Sequence, residues 1–249
     1  MTTQLELYVL PWGLYPRRVL LYLSAKNLLS SPLIKITPVS ISQTGQLIAH
    51  GKPPGSVPIL RLPDGTFIKQ SLAIIEFFED VCESPDPAKD WQVALAKSAN
   101  RDFDMRGGSS EAKARTREVL GLVDEATSQF AFACHKGTAL FVPMEETNAL
   151  TAKLALEYCK KTLRLVEENY AAELSRSVDE GRVSIADCVL YSLLLFSEGV
   201  YGVDLLSEPE LPVLQRVRGM MQARGWVELE EAQCPEQIRS LASQWLPVE

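Results

Sequence analysis

Basic charge, histidine and paired cysteine are what this sequence has least of. Across 249 residues it carries 25 Lys and Arg against 32 Asp and Glu, a net charge of −7. A chain of that sign lacks the clustered cations that neutralise phosphates, which argues against general nucleic-acid binding. Only two histidines, His50 and His135, are present. The five cysteines, Cys82, Cys134, Cys159, Cys188 and Cys234, are odd in number, scattered and without a C-x-x-C. Neither a zinc site nor a disulfide-exchange centre is spelled out by such spacing. No apolar run approaches the ~18 residues of a membrane span. The first residues, MTTQLELYVLPW, have no basic segment ahead of an apolar core, so they do not read as a signal peptide. Together these absences predict a reduced, cytoplasmic chain with no metal and no membrane partner.

What is there is globular: 46% hydrophobic and 23% charged residues, in a length that suits one large or two modest domains. The charge is uneven. Residues 1–80 hold seven Lys/Arg against five Asp/Glu, the remainder 18 against 27, so the first part suits an anionic small ligand. Its most informative stretch is Gly51–Phe78, GKPPGSVPILRLPDGTFIKQSLAIIEFF. A strand is predicted at Ile59–Leu62. Pro58 opens it, and having no N–H for a ladder it belongs at a strand start or edge, where a cis bond is compatible. Pro63-Asp64-Gly65 predicts a turn. A second strand, Thr66–Lys69, runs into Gln70-Ser71, and Leu72, Ile74, Ile75, Phe77 and Phe78 then recur at helical spacing. Ser71 therefore sits at or beside a helix N-terminus, where free N–H groups and the dipole favour an anion. A Gln-Ser pair can also simply cap a helix. Its combination with Val57-Pro58 and the hairpin is what points to a ligand.

The run Gly55-Ser56-Val57-Pro58-Ile59-Leu60, then Asp64-Gly65 with Ile68, then Gln70-Ser71-Leu72-Ala73-Ile74, resembles the second half of the thioredoxin-like domain of the glutathione S-transferase superfamily, of fungal type with zeta- and omega-class features. The resemblance implies that Val57, before a cis Pro58, binds the cysteinyl backbone of glutathione. It implies that Gln70 and Ser71 hold the γ-glutamyl end. Lys52 is the implied partner of the glycine carboxylate, with His50 and Gln43 behind it.

Leu5–Leu10 reads as the first strand, broken by Pro11-Trp12-Gly13, and a helix follows at Tyr15–Lys26 with Pro16 in its first turn. In the resembled family this region stabilises the glutathione thiolate, the reacting nucleophile. Here the sequence departs from the pattern, because the expected serine or cysteine falls at Gly13 or Leu14. Three groups remain as candidates: the Tyr15 phenol, the Tyr8 phenol, or the main-chain N–H groups of the helix start with Arg17 or Arg18 nearby. Tyr15 can equally line an apolar substrate pocket beside Trp12. Leu33–Ser40 alternates as a strand, and Ile41–Lys52 reads as a polar connection with a short helical piece at Gln46–Ala49.

Residues 83–90, ESPDPAKD, are a proline-punctuated link and the compositional domain boundary. Beyond it helices are predicted at Trp91–Arg106, Ala112–Cys134, Glu145–Leu174, Ile185–Val200 and Pro212–Arg224. Ser184-Ile185-Ala186-Asp187 predicts a capping box with Asp in place of Glu or Gln. It is similar to the S/T-x-A-D box of the same family, a structural rather than catalytic element.

The expected fold is thus an α/β thioredoxin-like N-terminal domain, residues 1–82, plus an all-α C-terminal domain, residues 91–249. The implied activity is a glutathione-dependent transferase acting on a hydrophobic electrophile, by conjugation or by addition–elimination isomerisation of a conjugated double bond, as in natural-product metabolism. Trp12, Leu14 and Tyr15 would wall the electrophile's pocket, with Arg106, and Arg101 or Asp104 beside it, reaching the substrate. A homodimer is implied. The alternative is a transferase-shaped interaction module with little turnover.

Overall fold

Strand β1 (Leu5–Val9) turns Leu5, Leu7 and Val9 into the interior, and α1 (Leu14–Ala25) covers that face with Val19, Leu20 and Leu23. This βα start belongs to a computed structural model describing residues 4–42, 45–100, 104–207, 210–225 and 234–248. β2 (Ile34–Pro38) lies parallel to β1 in the register Leu5 to Ile34. β5 (Ile59–Arg61) runs antiparallel to β1, with Tyr8 opposite Ile59, and β6 (Phe67–Lys69) antiparallel to β5. The sheet order is β2-β1-β5-β6. Helix α2 (Ser71–Glu83) follows β6 directly and buries Ile74, Ile75 and Phe78. A buried polar link joins the helices: the Tyr22 hydroxyl donates to Glu79 Oε1 at 2.7 Å, and Lys26 Nζ lies 2.8 Å from the same oxygen.

The expected helical piece at 46–49 is instead a strand. β3 (Ser40–Ile41) and β4 (Leu47–Ile48) form a two-stranded hairpin. Gln46 N–H donates to Ser42 Oγ at 3.0 Å and Ser42 N–H to the Gln46 carbonyl at 2.9 Å. Gly45, at φ 76°, supplies the left-handed step that reverses the chain. A segment this short has no periodicity to betray its state.

Contacts divide the chain into two compact units, the first ending at Met105 and the second beginning at Arg106. Helix α3 (Asp90–Ser98) packs on α2 within the first unit, whereas composition alone puts its break at 83–90. The helix expected to reach Arg106 ends at Ser98, where Ala99 adopts extended backbone.

The second unit is helical: α4 (Ser110–Gly137), α5 (Ala149–Asp179), α6 (Ile185–Tyr201), α7 (Pro212–Gln222) and α8 (Glu236–Ala242). α5 starts at Ala149 rather than at Glu145, because Asn148 caps it by accepting from Thr151 N–H at 2.8 Å. α6 is buried nearly all round, as its unbroken apolar run requires. Its start carries the expected capping box. Ser184 Oγ accepts from Asp187 N–H at 3.2 Å, and Asp187 Oδ2 accepts from Ser184 N–H at 2.7 Å. Burial pushes the Asp187 carboxyl above its ordinary value against the pull of those Ser184 bonds. Among the described residues no helix is long and apolar enough to cross a membrane.

Candidate functional site

The first unit holds three local breaks in regular structure: the bond before β5, the junction of β6 with α2, and the start of α1. The Val57-Pro58 peptide is cis, as the sequence allows. Both residues are buried, and Val57 packs with Tyr8, Val39 and Ile59 on the sheet face away from α1. Because the paired residues of β5 begin at Ile59, Val57 stands just outside the ladder.

At the β6–α2 junction Gln70 has φ 75° and ψ 127°. A residue with a side chain rarely holds such a conformation, which costs on the order of 1–3 kcal/mol and persists where the surroundings over-determine it. The Gln70 carbonyl accepts from Ile74 N–H at 3.0 Å, while its side chain caps nothing and is exposed. Ser71 follows as the first helical residue, only 4% exposed. Arg18 Nη1 lies 3.5 Å from the Ser71 Oγ, bringing a guanidinium that is 1% exposed to the positive end of α2. The sequence did not flag this approach. Its one signal was a pair of arginines set into an otherwise apolar helix.

The start of α1 holds the departure at positions 13 and 14. A Cβ added to Gly13 would sit 3.1 Å from the Leu10 carbonyl oxygen and 3.4 Å from Leu10 Cβ, so a serine or cysteine there requires Leu10 to give by a few tenths of an ångström. Leu14 is buried, directing its side chain into the core. Pro16 has no N–H, and Arg17 N–H is taken by the Gly13 carbonyl at 3.0 Å. Tyr15 is the polar side chain left open there. It is 37% exposed, with the Arg18 guanidinium carbon 4.8 Å from its ring centroid, within cation–π range. Trp12 is half-buried in the turn before it.

Tyr8 occupies a different setting. Its hydroxyl is buried in the Val57 cluster and donates to Glu6 Oε2 at 2.9 Å, with the His50 carbonyl at 3.4 Å. Burial, then the neighbouring Glu6 carboxylate, holds its phenol above the ordinary value. Glu6 in turn accepts from Lys35 at 2.6 Å and Thr37 at 2.8 Å.

Lys52 is half-buried and donates to the carbonyls of Pro53 at 3.0 Å and Gly55 at 2.6 Å. Two of its three N–H bonds are thereby used and one remains. Desolvation, then the charge of Lys69, holds the amine below the usual lysine value, so two cations share this edge of the site. His50 is exposed and contributes its carbonyl to Tyr8. Asp104 is exposed, and Arg106 is buried within the second unit. Gln43 and Arg101 lie outside the described residues. Among those described, no group of three or more His, Cys, Asp or Glu side chains could hold a metal ion.

The family pattern described as "Glutathione S-transferase, N-terminal domain" matches residues 12–81, the span that holds every element of this site except Tyr8. No curated protein sequence matches the chain. Among solved structures, a glutathione transferase family member from Pseudomonas fluorescens Pf-5, solved with bound S-(propanoic acid)-glutathione, superposes with a TM-score of 0.66 at 16% identity. That alignment covers 93% of this chain and 100% of the other. A glutathione S-transferase from Methylobacillus flagellatus KT with glutathione bound gives 0.65 at 19% identity, covering 93% and 100%. An unclassified glutathione S-transferase from Bombyx mori gives 0.62 at 18% identity, covering 96% and 97%. Identities so low speak to the fold, and the fold is that of glutathione transferases. Residues 12–81 thus match the glutathione S-transferase N-terminal domain, in a chain whose fold is that of glutathione transferases.

Proposed function

We propose that this protein is a glutathione-dependent transferase whose cosubstrate lies across Val57, Gln70 and Ser71, with its sulfur near the start of α1. The observation that carries the reading is Gln70, held at φ 75° with its amide turned outward beside buried Ser71 and Arg18. A strained residue at a helix N-terminus, backed by a buried cation, suits the charged γ-glutamyl end of the tripeptide. The remaining Lys52 N–H suits the glycine carboxylate, and Lys69 adds positive potential beside it. The bacterial structures solved with bound glutathione or its conjugate support the same assignment.

In this mechanism the thiolate is stabilised by Tyr15, through its phenol or its N–H, with the α1 dipole and Arg18 behind it. Tyr8 is set aside because its proton is already given to Glu6. The sulfur attacks an electrophilic carbon of an apolar substrate held against Trp12 and Tyr15, and a C–S bond forms as a leaving group departs with its electron pair or as a conjugated double bond opens and its electron pair takes up a proton. In conjugation that bond is kept. In isomerisation it breaks again after rotation about the former double bond, and glutathione leaves unchanged. The helical residues 91–249 select the electrophile, and the enzyme works in the cytoplasm as a homodimer.

Gly13 and Leu14, which leave no serine or cysteine at the helix start, favour a second reading: a glutathione-holding interaction module with little turnover. Titrating glutathione into the protein, with binding heat and thiolate ultraviolet absorbance followed across pH, separates the two. Binding with the thiol ionising well below its free value of about 8.5 supports the enzyme. Binding without that shift supports the module. Absence of binding defeats both.

A further inference from the structure

Helix α5 turns a face that is both apolar and cationic away from its own unit. Leu150, Leu154, Tyr158 and Leu165 are 55%, 49%, 59% and 37% exposed. With Lys161 they recur at spacings of four, four, three and four residues, which makes one line along a helix. The buried residues of the same stretch, among them Ala152, Ala155 and Cys159, follow a different edge and serve the interior. Lys153, Lys160 and Arg164, at spacings of seven and four, flank the line on one side. Residues 150–165 thus carry four cations and one acid, Glu157, in a chain whose net charge is −7. None of these four cations forms an ion pair among the described residues. Arg115, Lys136, Arg182, Arg216, Arg218 and Arg239 of the same unit each hold an acidic partner. The α5 charge is therefore left uncompensated in a unit with acid to spare. Single apolar side chains on a surface are ordinary, but a continuous line beside uncompensated charge marks a contact.

We propose that this face docks on an anionic lipid surface, α5 lying in the plane of the headgroups over about 22 Å at 1.5 Å per residue. Leu150, Leu154 and Leu165 enter the boundary with the acyl chains. Tyr158 sets its ring beside them and its hydroxyl among the headgroups, as an amphipathic aromatic does. Lys153, Lys160, Lys161 and Arg164 meet the negative charge of the lipids. Charge selects this occupant. A second copy would bring the same four cations against these, and an apolar protein surface would leave them unmatched, whereas an anionic bilayer satisfies both parts of the face at once. The acidity of the rest of the chain keeps the attachment weak and sensitive to salt. A surface contact needs no membrane-spanning helix, and it is independent of the glutathione reading, so either can fail without the other.

Co-sedimentation of the full chain with phosphatidylcholine vesicles, with and without phosphatidylserine, tests it. The wild type is expected on the phosphatidylserine vesicles alone, and to leave them as salt is raised. The triple variant K153Q/K161Q/R164Q should lower the partition coefficient about a hundredfold, at about fivefold per charge. Leu154→Ser should lower it about tenfold. Lys97→Gln, at an exposed cation of α3, should change it little. All these positions are exposed, and circular dichroism verifies that each variant folds. A wild type that ignores phosphatidylserine vesicles overturns the proposal and leaves the face to an acidic protein. Equal binding to neutral vesicles overturns it too, as does binding indifferent to the triple variant or to Leu154→Ser, or one that Lys97→Gln weakens as much. Self-association in lipid-free sedimentation velocity that Leu154→Ser abolishes would give the face to a second copy instead.

Discussion

The Arg18 guanidinium reaches the Ser71 hydroxyl at 3.5 Å across 53 residues of sequence, both side chains almost wholly buried. The contact ties α1 to the first turn of α2 and sets a fixed positive charge there. Arg18→Lys keeps the charge but loses the planar fork. We expect Arg18→Lys to weaken glutathione binding about tenfold, and Ser71→Ala by a similar factor, in line with ~1–3 kcal/mol for hydrogen bonds to charged groups. Calorimetric titration measures both.

Gln70 predicts a trade between stability and binding. Gln70→Gly removes the side chain that makes φ 75° unfavourable, and it also removes the exposed amide. Stability is expected to rise by about 1 kcal/mol in urea denaturation, while glutathione affinity falls. A variant that loses stability instead would show that the conformation is held by contacts of the amide.

Tyr8 belongs to a network whose role is to bind the sheet. Tyr8→Phe should cost about 1–2 kcal/mol by leaving Glu6 short of a donor, with the glutathione thiol ionising as in the wild type. The pH dependence follows from Glu6. Burial pushes its carboxyl up, but the bonds from Lys35, Thr37 and Tyr8 prevail and hold it below 4.5. A carboxyl lowered on folding contributes stability above its unfolded value, and that stability is lost as pH falls through the folded one. The difference in urea midpoint between wild type and Glu6→Gln should therefore shrink below about pH 4.5. A difference constant down to pH 3 would contradict the network.

Glu167 on α5 accepts from Val213 N–H at 2.8 Å and Leu214 N–H at 3.0 Å. A carboxylate from one helix thus caps the first turn of α7, where Leu211 provides no side-chain cap. Glu167→Ala should destabilise the second unit by about 1–2 kcal/mol, read as a lower thermal midpoint. Glutathione affinity should not change.

What the sequence determined by itself is whatever a few neighbouring residues decide. Pro63-Asp64-Gly65 turns because proline and glycine restrict or free their own backbone. Ser184 and Asp187 cap α6 because each bonds the other's main chain three residues away. Pro58 at a strand start, Gln70-Ser71 at a helix start and the apolar periods of α1, α2 and α6 are legible for the same reason. The hairpin at 40–48 was not, since two-residue strands offer no period and the reversal rests on Gly45. Asn148 as the start of α5 was hidden behind a run of equally polar residues.

Only the tertiary structure decided what distant segments do to one another. It assigned the Tyr8 phenol to Glu6 and the His50 carbonyl, lowered a cation onto Ser71, and set Leu10 against Gly13. A side chain's chemistry is written in its residue type, but its donor, charge and exposure are settled by partners tens of residues away. That is why the cis proline, the turn and the helix start at 58–71 were readable in the chain, while the setting of Tyr8, Tyr15 and Arg18 depended on packing.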